Sequence, residues 1–277
     1  MFGMIPLLIP LEGGGEEAHG WPPSVDSFAS RPRWEGAPSW LNNHLAQAVI
    51  AAILVIAFWL WMAHKQKVVP GRRQFLGEMA YNLVRNTIAR DILGHDYQRF
   101  LPYLVGLFSF ILVNNLFGSF FLFMFPTMSK IGFPYGLAIL TFVIYNVAGI
   151  AKFGLPNYLR RMTLPEGVPW FLWILIIPLE FISNFVARPV TLALRLFANM
   201  FAGHLVIMVF VVGGGMLLTM TEASDGMPRW LLNTAGGVSI LFSFAIFALE
   251  LLVAALQAYI FTVLTAQYVS SAIAEEH

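Results

Sequence analysis

The chain has 277 residues, 58% hydrophobic and 11% charged, with a formal net charge of +1 and a mean hydropathy of +0.72. These values exclude an ordinary soluble domain and describe a membrane protein that crosses the bilayer several times. The near-neutral charge, without a basic tail, gives no reason to expect nucleic acid, and the absence of cysteine rules out disulfides, thiolate chemistry and Cys-ligated metals.

Residues 1–45 read as an external N-terminal segment, irregular because Gly13–Gly15, Glu16, Glu17 and repeated prolines break any periodicity. Its first ten residues are apolar but lack a preceding basic region and a small-residue cleavage site, so they are expected to be retained. Ala46–Met62 is long enough to cross most of a hydrocarbon layer about 30 Å thick. It is followed by Lys65, Lys67, Arg72 and Arg73. From Arg73 to Leu93, Phe75, Leu76, Met79 and Leu83 alternate with Glu78, Arg85, Arg90 and Asp91, the pattern of an amphipathic helix lying on the membrane surface. Phe100–Phe125 and Phe133–Ala151 are two further spans. The first contains Asn114 and Asn115, which neighbouring helices can satisfy. Residues 46–161 thus hold the early spans and the amphipathic helix, and 162–277 the rest.

Two overlong apolar segments follow, Val168–Val212 and Gly237–Ala272, which would be about 67 Å and about 54 Å long as helices. Each must tilt, bend or divide. Division at Ser183–Pro189 is one possibility, but SNFVARP has few polar residues for a surface loop, so one bent helix is preferred, kinked where Pro189 cannot donate to a preceding carbonyl. Thr219–Pro228, with Glu222 and Asp225, reads as the connecting loop. Most of the sixteen lysines and arginines fall on one side if the N-terminus is external and the C-terminus internal. The expected fold is an all-α polytopic membrane protein of about five membrane segments plus an amphipathic surface helix, ending in a long, steeply tilted hairpin.

Arg195 stands in the middle of the first overlong segment. A guanidinium stays protonated under almost any condition, and at the bilayer centre it costs roughly 3 kcal/mol on insertion scales. Such a charge points to ion movement, with snorkelling or a structural ion pair as the plain alternative. In an antiparallel hairpin, residues at one depth have numbers that add to a constant total. On that rule His204 faces Glu250, Arg195 faces Gln257, and Glu180 falls opposite Ala272, close to Ser271 and a turn from Tyr268. Glu250, Gln257 and Tyr268 share a face at 100° per residue, as do Arg188 and Arg195, whereas His204 lies nearly opposite Arg195. Each group has a bland alternative: a core histidine with its partner acid, interhelical amides at Asn199 and Gln257, a belt tyrosine, or Glu180 paired to Arg188. Together, at three depths around a fixed cation, they favour an ion path, with His204 best suited to exchange a proton near neutral pH.

Arg195-Leu196-Phe197-Ala198-Asn199, Ala202-Gly203-His204, and later Glu250, Gln257 and Tyr268 resemble subunit a of the F-type ATP synthase, over essentially the whole chain. The resemblance implies a non-catalytic stator that provides two aqueous proton half-channels beside a rotating c-ring whose subunits carry membrane carboxylates. It implies Arg195 as the essential gate with Asn199 and Gln257 beside it, His204 and Glu250 in the external half-channel, and Glu180, Tyr268 and Ser271 in the internal one. Many members carry an acid near Ser271, so the internal route here could use Glu275, Glu276 or water instead. The partners implied are the c-ring, the peripheral-stalk subunit b, the rest of the complex, the lipid bilayer and protons, in a bacterial plasma membrane and with no cofactor. Sodium coupling stays open, since the carrier site lies on the ring. A secondary transporter would need inverted repeats and discontinuous helices, and a haem or quinone protein paired intramembrane histidines; neither pattern is found. No GxxxxGK[ST] loop occurs in the sequence, so no nucleotide site is expected in this chain.

Overall fold

A computed structural model describes residues 43–64, 71–119, 127–164, 169–219 and 228–274. The N-terminal segment up to residue 42, Lys65 and Lys67, most of the Thr219–Pro228 loop, and Glu275 and Glu276 lie outside the described residues. Every regular element among those described is helical, and five helices are long and apolar enough to cross a membrane.

The first span is α1 (Asn43–Ala63). The amphipathic region begins as α2 (Arg72–Asn82), widens into a π turn over Leu83–Arg90, and closes with α3 (Asp91–Leu93). It is less separate than the sequence suggests. Only a short 3-10 turn, Gly94–Asp96, divides it from α4 (Tyr97–Ser119), and helical structure is continuous from Gln74 to Gly118. Gly94 sits at φ +57, where a Cβ is strained, and so marks the break between the two. The third span is α5 (Gly132–Phe153). After it comes a helix that the sequence pattern did not announce, α6 (Leu155–Thr163), entered through Gly154 at φ +77 with Pro156 in its first turn. Tyr158 and Met162, four apart, turn inward while Leu155 and Leu159 stay exposed.

The expectation of one helix instead of two spans holds for the first overlong segment. Helical structure runs without interruption for 47 residues, Trp173–Thr219, or about 70 Å. It consists of α7 (Trp173–Phe181), a π turn over Ile182–Ala187, and α8 (Arg188–Thr219). The π turn immediately precedes Pro189, and the Arg188 N–H reaches back five residues to the Ser183 carbonyl. In that register Pro189 would donate to the Asn184 carbonyl, but proline has no N–H. The Tyr145 hydroxyl of α5 donates to this carbonyl instead, at 2.9 Å. SNFVARP is therefore a widened turn inside a helix, with a side chain from another span supplying the missing donor.

The last helix, α9 (Arg229–Ile273), is 45 residues long and pairs with α8 as the hairpin. Close to the turn, Gly214 and Gly236 let the two backbones touch. A Cβ on Gly214 would lie 3.1 Å from the Gly236 carbonyl oxygen, and one on Gly236 would lie 2.9 Å from that of Gly214. Small residues at such a crossing are the usual means of bringing membrane helices together. Further along, α9 packs on α4 and α5. Ala254, Ala258, Leu104 and Ile111 are fully buried there, and Asn115 Nδ2 donates to the Ala254 carbonyl at 3.1 Å. Tyr103 and Thr141 join α4 to α5 at 2.8 Å, and Trp59 Nε1 donates to Ser109 Oγ to tie α1 on at 3.1 Å. In contrast, the outer face of the hairpin is bare: Ile174 is 87% exposed, Leu241 71% and Leu252 61%. So wide an apolar surface suits lipid or another membrane subunit.

Candidate functional site

Two polar clusters lie along the hairpin, one toward its turn and one toward its open end. In the first, His204 Nδ1 lies 2.6 Å from Glu250 Oε1, and both side chains are largely buried. The pairing follows from the antiparallel register of α8 and α9, which brings these two positions to one depth. Gly203 makes the approach possible, since a Cβ there would stand 2.9 Å from Glu250 Oε1. On the other side of the ring, His204 Nε2 is 2.7 Å from the Gly118 carbonyl oxygen at the end of α4. A carbonyl only accepts, so Nε2 carries a hydrogen and Nδ1 is the nitrogen left to gain or lose a proton. Nδ1 and Oε1 can then share one proton. Glu250 Oε2 has no hydrogen-bond partner among the described residues, leaving it an open acceptor inside the protein.

Arg195 is on the other face of α8, nine residues from His204, and is exposed in the isolated chain. Among the described residues it forms no ion pair and no hydrogen bond with Gln257 or Asn199. Leu194 beside it in the chain is 40% exposed. No acid among the described residues neutralises the arginine. Gln257 and Asn199 are half-buried at comparable depth.

The second cluster is built from α5, α6, the π turn, α8 and α9. Asn184 Nδ2 donates both to the Met162 carbonyl at 2.7 Å and to Glu180 Oε2 at 3.1 Å. Tyr158 donates to Asn146 Oδ1 at 2.9 Å. The Arg188 guanidinium lies over the Tyr268 ring at 5.2 Å, and that ring meets Tyr145 edge-on at 6.0 Å. Tyr158 is outside the spans, and its burial pushes the phenol up to about 12, with the charge of Arg188 opposing the shift. Lys152, at the end of α5, donates to the Ile273 carbonyl at 3.0 Å and so caps α9.

The expected inner residues are therefore in one region, but with other partners. Glu180 binds Asn184 instead of pairing with Arg188, Arg188 takes Tyr268, and Ser271 is exposed. The sequence reading missed Tyr145, Asn146, Tyr158 and Asn184. The Tyr145-Asn146 dipeptide in an otherwise apolar span was the available signal. Among the described residues no three His, Cys, Asp or Glu converge as a metal site would require.

Fold and site together define a polytopic membrane protein, helical in all its described elements, with a buried histidine–carboxylate pair inside a long hairpin and an arginine exposed on its outer face. The family model described as ATP synthase A chain matches residues 45–270. "ATP synthase subunit a" of a Nocardioides species is 49% identical over 240 residues, covering 86% of this chain and 83% of that one. The protein of the same name from Pseudarthrobacter chlorophenolicus is 41% identical over 280 residues, covering 99% and 100%, and that from Mesorhizobium japonicum is 40% identical over 231 residues, covering 83% and 86%. The chain belongs to the ATP synthase subunit a family, stator subunits of the membrane sector.

Proposed function

We propose that this chain carries two proton half-channels past a c-ring and uses Arg195 as the gate between them. The observation that carries the reading is the geometry of α8: the His204–Glu250 pair is sealed inside the bundle at 2.6 Å, while Arg195 is exposed on another face and has no ion-pair partner among the described residues. His204 and Glu250 form the external half-channel, with Gly118 orienting the imidazole so that Nδ1 exchanges protons with Glu250. Gln257 and Asn199 flank the arginine. Glu180, Tyr268 and Ser271 belong to the internal side, where protons leave. The N-terminus is external and the C-terminus internal, in a bacterial plasma membrane, with the c-ring and the peripheral-stalk subunit b as partners.

The physics requires a permanent cation. A ring carboxylate about 4 Å from Arg195 gains roughly 4 kcal/mol at an effective dielectric near 20, or about three pKa units. A protonated ring site coming up to Arg195 therefore discharges to the internal side. Beyond it the attraction is lost, burial favours the neutral acid, and the site takes a proton from the external side. The fixed charge also repels a proton hopping directly between the channels, so flow requires rotation. Each proton falling through 100 mV releases about 2.3 kcal/mol. The test is Arg195→Ala in the assembled complex: proton-driven ATP synthesis is lost while the chain still assembles. Normal synthesis in that variant would reject the reading.

A further inference from the structure

The open-end cluster contains two buried polar atoms whose needs are opposite. Arg188 Nη1 is a charged donor and Asn184 Oδ1 an acceptor; neither has a hydrogen-bond partner among the described residues, and each is shut off from bulk solvent. They belong to residues one turn apart and are held by the same frame. Tyr145 fixes the Asn184 carbonyl at 2.9 Å and touches Tyr268 edge-on, while Tyr268 carries the Arg188 guanidinium on its face. Asn184 Nδ2 is already committed to Met162 and Glu180, which fixes the amide orientation and leaves Oδ1 turned elsewhere. Buried polar atoms in folded proteins nearly always find partners, and a polar site with several convergent groups is where ordered water is held.

We infer that Arg188 and Asn184 hold ordered water between them beside Glu180, and that Arg188 is the positioning residue that keeps this end of the hairpin wet. Its part in proton transfer rests on the function proposed above; the hydration itself does not. Water there can take a proton arriving from the ring side and release another toward Glu180, with no net change in itself. Arg188 is suited to this because the Tyr268 ring holds its guanidinium without consuming a donor, leaving N–H groups for water. It thus has a different task from Arg195, two turns further on.

The chain has no cysteine, so Asn184→Cys introduces its single thiol. In membranes containing the whole complex, silver ion added from the face carrying the α9 C-terminus is expected to bind this thiol and inhibit ATP-driven proton pumping, with the cysteine-free chain as control. Adding Arg188→Leu should slow silver binding about tenfold, the order of losing a charge-assisted hydrogen bond to water, whereas Arg188→Lys should preserve it. A merely structural role predicts the reverse, since a loosened cluster admits silver faster. If Arg188→Leu does not assemble, Asn184→Cys alone decides: a thiol unreactive from that face overturns the inference. So does a silver rate unchanged or raised by Arg188→Leu. Arg195→Ala in the same membranes separates the two proposals. Normal pumping there removes the proton-path reading whatever the silver result. Blocked pumping with a dry Asn184→Cys removes only the wet clamp.

Discussion

Gly203 lies one residue before the histidine, and replacing it with alanine tests the outer pair without touching either titrating group. The added Cβ would stand 2.9 Å from Glu250 Oε1, 3.2 Å from Cδ and 3.4 Å from Cγ. Ordinary contact begins near 3.4 Å, so the oxygen must retreat by about 0.5 Å from a position that is 2.6 Å from His204 Nδ1. Glu250 is 5% exposed, so the carboxylate cannot swing freely away. Overpacking of this kind costs about 1–3 kcal/mol. If that falls on the pair, proton transfer from outside slows between about fivefold and about 160-fold. The assay is ATP synthesis by the complex in vesicles, driven by an imposed proton gradient, with the external pH varied. Gly203→Ala should lower the rate and move the external pH profile, with normal amounts of assembled chain. In a Glu250→Ala background the clash is gone, so the alanine should add nothing, a non-additivity expected of residues in contact. A wild-type rate with an unmoved profile would show that the 2.6 Å approach is not what proton transfer uses.

Other outcomes follow from the same geometry. Glu250→Gln and His204→Ala should each slow synthesis and shift its dependence on external pH, and an unchanged profile in both would make the pair structural. Tyr145→Phe leaves the Asn184 carbonyl without its substitute donor and should destabilise the chain by about 1–3 kcal/mol, measured as loss of thermal stability of the purified complex; no loss would mean that another group fills the place. Gly214→Leu should separate α8 from α9 and prevent accumulation of the folded chain, scored by immunoblot of membranes; normal levels would refute the close crossing. Tyr158 titrates near 10 when unfolded and about 12 when folded, so the stability it contributes is complete below pH 10 and fades as pH rises through 12. Tyr158→Phe should flatten that alkaline fall in a melting-temperature series, and an identical fall in both proteins would refute the assignment.

What could be read without the structure depended on how far apart the deciding residues are. The hairpin was legible because two apolar runs too long for a bilayer, joined by a short acidic loop, can only fold back on each other. Once antiparallel, their register brings His204 to Glu250. The unbroken helix was legible from the lack of polarity in SNFVARP, although the π turn was not, since its stability depends on the Tyr145 hydroxyl from another span. The open end escaped for the same reason. The hairpin register alone brings Tyr268 to the depth of Asn184 and Arg188, but Tyr158 and Met162 join them only because α6 follows Gly154 and packs against α5, and nothing in the spacing along the chain signals that part of the meeting. Gly203, Gly214 and Gly236 carry no pattern of charge or hydropathy. Their meaning lies in the atoms that a Cβ would strike.

The two arginines show why one chain holds two cations on a single helix with different surroundings. Arg188 rests on an aromatic face within a polar cluster, so its charge is partly compensated inside the protein. Arg195, seven residues later, has no such compensation among the described residues and is exposed. An ionised group left this way is costly in lipid and, once buried against another surface, costlier still without a counter-charge. A permanent internal acid would remove that cost, but it would also remove the attraction available to anything passing by. The expense is recovered only when an anion from outside the chain comes within a few ångströms, and it returns when that anion leaves. A bare intramembrane arginine therefore makes physical sense as half of an intermittent pair, with the other half on a moving partner.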